Sequence, residues 1–128
     1  MTTSASCQSP NKNILIFDTE TSGLPKDRRG KIHDSSNWPH ILQLSYLVYE
    51  SDTNRVLKEG DYIIDVPDTV DISPESIAIH GINRKRCKRE GIDIKHAITE
   101  FKRWLNVADI VVAHNLEFDK KMMMVECS

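Results

Sequence analysis

Asp18 and Glu20 stand two residues apart where a short apolar run, Ile14-Leu15-Ile16-Phe17, gives way to polar sequence. In an extended strand, a period of two points both carboxylates to the same side. Two acids held side by side repel each other unless something positive neutralises them. Hard divalent cations such as Mg²⁺ or Mn²⁺, which take oxygen ligands, would do so. The plainer alternative is a pair of solvated acids in a strand-end turn, with Thr19 and Thr21 serving that turn. Spacing alone does not separate the two. A second acidic group, His114-Asn115-Leu116-Glu117-Phe118-Asp119, follows a second apolar run at 110–113. It too has a structural account: Asn115 caps a helix, Glu117 and Asp119 complement its dipole, and Glu117 pairs with Lys121. The argument for chemistry is the repetition, because strand ends are where sites assemble in α/β sheets.

The rest of the chain must position these acids. Its 128 residues suffice for one domain with a real core. An apolar share of 39% and a charged share of 28% are ordinary for a soluble chain and argue against wholesale disorder. Lys plus Arg is 17 against 19 for Asp plus Glu, a net charge of −2. That excludes a partner strategy built on bulk positive charge, but not a nucleic-acid enzyme with locally bound cations. Three scattered cysteines, Cys7, Cys87 and Cys127, argue against a disulfide framework or a zinc site and for a reducing compartment. No apolar run approaches the ~18 residues of a membrane span, and no secretory signal is visible. The expectation is an intracellular protein, cytoplasmic or nuclear, with no membrane partner.

Residues 1–12 are Ser/Thr-rich without apolar periodicity and read as a disordered tail, leaving 13–128 as the domain. The run at 14–17 suits a central strand buried on both faces. Residues 23–39, with two prolines, two glycines and a polar Ser-Ser-Asn stretch, form a long loop. Strands follow at 41–49 and over 56–58 and 60–66, with a turn at Thr53-Asn54, as an antiparallel meander. Ser73-Pro74 opens a helix that stops at His80-Gly81. Asn83 caps another through Glu90, ended by Gly91. The spacing of Ala97, Ile98, Phe101, Trp104 and Leu105 gives the strongest helix signal, over 94–105. A strand at 109–113 and a helix from 116 to 125 complete a β-β-β-α-β-α order of mixed α/β class.

Three segments resemble a known family. FDTETSGL at 17–24 is similar to the first motif of the DEDD superfamily of 3′–5′ exonucleases, in the DnaQ-like branch typified by polymerase proofreading subunits. PESIAIHGI at 74–82 is similar to its substrate-contacting segment, and VVAHNLEFD at 111–119 to its second motif. Order and intervals fit, over residues 13–126. The resemblance implies a ribonuclease H-like mixed sheet and a metal-dependent 3′–5′ exonuclease acting on the 3′ end of DNA or RNA. It further implies two Mg²⁺ or Mn²⁺ ions, with Asp18 bridging both, Glu20 on one and Asp119 on the other. Thr21 and Leu24 match positions that meet the terminal nucleotide, Glu75 and His80 match contacts to the substrate's end, and Asn115 matches a position lining the site. Gly23 is expected to serve a sharp turn. Nucleic acid is the implied partner, with a polymerase or another replication protein as a further one.

The family's third motif, a histidine five residues before the last aspartate, has no counterpart outside the second motif. His114 and Asp119 have that spacing, but they belong to the second motif by their Asn and Phe. The fourth acid, the general base, and the last strand and helix are therefore expected to be missing, leaving a partial domain that hydrolyses poorly. A catalytically inactive nucleic-acid-binding fragment is the alternative from another class. A ribonuclease H-like endonuclease is a third reading, disfavoured by the HGI and HN..FD segments. Elsewhere, RKRCKRE at 84–90 is either a phosphate contact or a solvated helix face. Met122–Met124 read as core filler, and Trp38 as a loop anchor or a substrate guide.

Overall fold

A computed structural model describes residues 11–34 and 36–127. Four strands, β1 (Asn13–Thr21), β2 (Ile41–Glu50), β3 (Val56–Ile63) and β4 (Ile110–Ala113), form one mixed sheet in the order β3-β2-β1-β4. β1 pairs antiparallel with β2 and parallel with β4, so it is central, as its apolar run predicts. Between β3 and β4 stand three helices, α1 (Pro74–His80), α2 (Arg84–Glu90) and α3 (Ile94–Leu105), and α4 (Leu116–Cys127) follows β4. Among the described residues, no helix is long and apolar enough to cross a membrane.

Three expectations need correction. β1 does not stop before Asp18 but runs on through Thr21, so both acids lie within a strand. Nor is it buried on both faces. Leu15, Phe17, Thr19 and Thr21 are buried on one, while Ile16 and Asp18 on the other are exposed. The helices explain this, because Phe101 of α3 meets Phe17 and Tyr46 edge-on, at ring-centroid distances of 5.2 and 5.4 Å, from the first face only. The expected tail of residues 1–12 also overlaps residues that make contacts. Residues 1–10 lie outside the described residues, but the Lys12 N–H donates to Ser51 Oγ at 3.0 Å and ties the chain to the β2–β3 turn.

Local signals explain the helix boundaries. Ser73 caps α1 by accepting from the Ser76 N–H at 3.1 Å, and Gly81 ends it at φ +72°, a conformation that favours glycine. Asn83 and Asp93 cap α2 and α3 in the same way. The core lies between the sheet's covered face and α3 and α4, where Leu15, Leu44, Val48, Ala97 and Met122 are fully buried. Met123 joins them at 7% exposure while Met124 is 46% exposed, so the methionine run fills the core with two of its three members.

Candidate functional site

The β1 register shifts between Glu20 and Thr21, a bulge of the kind found where sheets re-aim side chains. Beyond Phe17, β1 also outruns β4, whose last pairing is Phe17 with Ala113. The first turn of α4 therefore comes up against the free stretch of β1, and Asp119 reaches it. Thr19 Oγ donates to Asp119 Oδ1 at 2.6 Å across 100 residues of sequence. Asp119 is only 2% exposed, and its other oxygen, Oδ2, is buried without a hydrogen-bond partner.

Charge in this corner is one-sided. Burial raises the Asp119 carboxyl above its ordinary range, the Thr19 hydrogen bond partly offsets that, and Asp18 raises it again. Glu20 is raised by burial first and by Asp18 next, with His80 pulling the other way and Asp119 adding to the rise. The structure thus brings Asp18, Glu20 and Asp119 within electrostatic reach of one another. No lysine or arginine appears among the charges acting on Glu20 or Asp119.

His80 and Thr21 are locked together. The Ile82 N–H donates to His80 Nδ1 at 3.0 Å, so Nε2 carries the proton and donates to the Thr21 carbonyl at 2.9 Å. Both ring nitrogens are engaged in hydrogen bonds. The Ser73 N–H also donates to the Ser22 carbonyl at 2.9 Å, so α1 is pinned to the end of β1 twice. Gly23 lies in this bend at ordinary backbone angles, and a side chain there would meet nothing closer than Ser73 Oγ at 3.9 Å. The chain bends at Ser22-Gly23, and the bend is held by Thr21 Oγ donating to the Gly23 carbonyl at 2.8 Å. Leu24 is 78% exposed beside it, Glu75 is exposed on α1, and Asn115 accepts from the Asp119 N–H through its carbonyl at 2.9 Å.

Several features escape sequence reasoning. Thr19 is not a turn residue but the donor that holds Asp119. Ile79, 82% exposed on a helix with no buried residue, leaves an apolar side chain in solvent on the element pinned to β1; the apolar Ile77-Ala78-Ile79 run in so short a helix was its signal. His114 shares with Asp18 a concavity of about 510 Å³ on the open face of the sheet, bounded by Asp61 and Glu59 of β3. The basic run of α2 is committed elsewhere. Arg84 donates to the Pro67 and Val70 carbonyls, and Lys88 bridges Asp65 and Asp68 at 3.2 and 3.1 Å. Trp38 is 5% exposed and donates to the Lys31 carbonyl at 2.9 Å, an anchor of its loop.

The acids, the orphaned Asp119 Oδ2 and the lack of a lysine or arginine acting on Glu20 or Asp119 fit a hard divalent cation. Among the described residues, no three Asp, Glu, His or Cys side chains converge tightly enough to hold an ion alone. The donor set therefore suits an ion that keeps waters or takes substrate oxygens, as Mg²⁺ commonly does.

Comparison with known folds finds the same architecture in Exonuclease I structures. One is E. coli Exonuclease I in complex with a dA16 oligonucleotide, at a TM-score of 0.70 and 16% identity over 88% of this chain and 23% of that one. Another is the moderately thermophilic Exonuclease I of Methylocaldum szegediense, at 0.69 and 19%, over 87% and 22%. A third, an ExoI/SSB-Ct complex, matches at 0.69 and 16%, over 88% and 23%. At these identities the likeness defines the fold, which is ribonuclease H-like, and the chain spans under a quarter of their length. A family model described as Exonuclease (RNase_T) matches residues 15–128. The chain belongs to that exonuclease family. Curated protein sequences yield no match.

Proposed function

We propose that this chain carries the acidic half of a metal-dependent 3′–5′ exonuclease site, hydrolysing phosphodiester bonds at the 3′ end of DNA or RNA. The observation that carries the reading is the corner of three like charges, with one buried oxygen unsatisfied, at the family's motif positions. Asp18, Glu20 and Asp119 are the residues that would hold Mg²⁺ or Mn²⁺. Two such ions, when bound, would make water a nucleophile near neutral pH and offset charge on the phosphoryl and leaving oxygens. Thr19 orients Asp119 by fixing one of its oxygens. His80 holds the Thr21 carbonyl and with it the strand end that faces the terminal nucleotide. Leu24 supplies an apolar surface for the terminal base, while Gly23, Glu75 and Asn115 border the substrate's end. In the balanced reaction a water oxygen bonds to phosphorus, the bond to the 3′ oxygen breaks, and that oxygen takes up a proton. His114 lines the same open-face concavity as Asp18, which makes it the first histidine to test as acceptor of the water's proton.

The test is digestion of an oligonucleotide labelled at its 5′ end, with Mg²⁺ or Mn²⁺. A ladder shortening from the 3′ end, abolished by a chelator and by a blocked 3′ hydroxyl, is the expected result. Internal cuts would move the assignment to an endonuclease. Binding without any cleavage would make the chain a nucleic-acid-binding module.

A further inference from the structure

Ser22 lies one residue beyond the end of β1, is 5% exposed, and has no role in the function proposed above. The register that pairs Thr21 with Ile41 sets it opposite His40. In a hydrogen-bonded antiparallel pair the two backbones exchange both N–H···O bonds. Here only one of the two is ordinary: the Ser22 N–H donates to the His40 carbonyl at 2.9 Å. The return bond is diverted, because the His40 N–H donates to Ser22 Oγ at 2.9 Å. The Ser22 carbonyl accepts instead from the Ser73 N–H, at 2.9 Å. The hydroxyl thus takes over the strand's bond and releases the carbonyl to another element.

That element is α1, for which Ser73 is the cap. None of its residues is buried, so packing of its own side chains does not fix it. It is held at its two ends. Ser73 meets the Ser22 carbonyl at one, and at the other His80 Nε2 donates to the Thr21 carbonyl at 2.9 Å, with the fully buried Ile82 just beyond. Consecutive carbonyls at the end of β1 therefore hold opposite ends of the helix. α1 also bears Glu75 and His80, while Asp18 and Glu20 stand on the strand to which it is tied.

We propose that Ser22 is a positioning residue: its hydroxyl holds β1 to β2 in place of its carbonyl, so that the carbonyl can set α1 against the strand of metal-binding acids. The inference rests on the function proposed above and adds to it a residue that acts through α1 and not on metal or substrate. In Ser22→Ala the His40 N–H loses its acceptor, and an unsatisfied N–H in so enclosed a place is costly. The acceptor that the register offers in its stead is the carbonyl of residue 22. The pair then reverts to the ordinary exchange, and α1 loses the tie at its start.

The experiment combines amide hydrogen exchange with two titrations. In Ser22→Ala the Ser73 amide should exchange faster by about ten-fold or more, as a local opening does. The Ile64 amide, bonded to the Leu42 carbonyl at 2.9 Å where the β1–β2 register shifts, should keep its protection. Affinity for a short thymidine oligonucleotide with cleavage-resistant linkages, in Mg²⁺ buffer, should fall about two- to thirty-fold. Mn²⁺ affinity, measured by calorimetry, should stay within about two-fold. Ser22→Thr keeps a hydroxyl and should match the unmodified chain. Ser22→Cys, a weak acceptor of similar size, should fall between and takes the place of Ser22→Ala if that variant does not fold. Unchanged Ser73 exchange overturns the linkage. Faster exchange at every amide, with Mn²⁺ and oligonucleotide binding weakened alike, makes Ser22 a general stabiliser and overturns the positioning role. So does a Ser73 amide set free with no loss of oligonucleotide affinity. An unmodified chain that binds the strand but never cleaves a normal one sinks the exonuclease reading and leaves the role of Ser22 standing; one that binds no strand removes both.

Discussion

Helix α2 and the acid-bearing end of β1 are both dense in charge, yet one is neutralised inside the fold and the other is not. On α2, Lys88 lies 3.2 Å from Asp65 and 3.1 Å from Asp68, Arg86 and Arg89 share Glu90, and Arg84 reaches two backbone carbonyls. These charges fasten a helix to the preceding loop, and nothing is left over for a ligand except Lys85. At the β1 corner three carboxylates gather with no lysine or arginine against them and only His80 opposing, burial and mutual repulsion raise two of them, and one oxygen has no partner. Opposed charges complete each other within the chain, whereas like charges held together require something from outside. The density of charge is therefore uninformative by itself; the sign pattern is what separates a fastening from a site.

The sharpest way to break this contrast is Asp18→Ala. Metal-dependent hydrolysis should fall by more than the ~10–100-fold typical of losing an outer-shell partner, while thermal stability in metal-free buffer stays level or rises. Retained activity in a Mg²⁺ assay would remove Asp18 from the site. Next in size is Thr19→Val, which strips the buried Asp119 of its side-chain donor and should cost about 1–3 kcal/mol in denaturant melts. An unchanged midpoint would show that Asp119 is solvated in a way its 2% exposure denies.

Acidity sharpens the comparison further. Glu20 and Asp119 are both raised in the fold. The stability they contribute is whole below the ordinary carboxyl range, about pH 4, and is lost as pH rises through their raised values. Asp119→Asn should therefore reduce that loss in metal-free buffer, and Mg²⁺ should do so for the unmodified chain. A pH profile of melting that is identical in all three cases would contradict the raised carboxyls. The smallest effects belong to α2. Arg84→Met leaves the Pro67 and Val70 carbonyls with one donor fewer and should cost about 1 kcal/mol, and Lys85→Met should stay within ~0.5 kcal/mol. Equal costs at both positions would mean that the pairing of this helix carries no stability.

Legibility follows the range of the interaction. The Ser73-Pro74 start and Gly81 stop of α1 are local, and the sequence shows them directly. The length of β1 was hidden because Asp18, Thr19, Glu20 and Thr21 are polar, and only their pairing with Ser45, Leu44, Gln43 and Ile41 makes them strand. An apolar run such as 14–17 says that a strand is central but not how many of its faces are covered, since that depends on where helices more than 75 residues away come to rest. The α2 charges looked free because their acids are on another element. The two acids of β1 and the second acidic group were visible as candidates, but the Thr19–Asp119 bond that joins them across the fold was not.

The parallel pairing of Ile14 with Ile110 closes the sheet on its first strand. On a ribosome adding about 5–20 residues per second, β1 and β2 can form their hairpin while β4 and α4 are still being made. For roughly 5–20 seconds the nascent chain holds Asp18 and Glu20 without Asp119, and the hydrophobic edge of β1 waits unpaired for its last neighbour. Closing so long a loop is entropically slow as well. Asp119 thus joins the two acids of β1 only after about 100 further residues have been made.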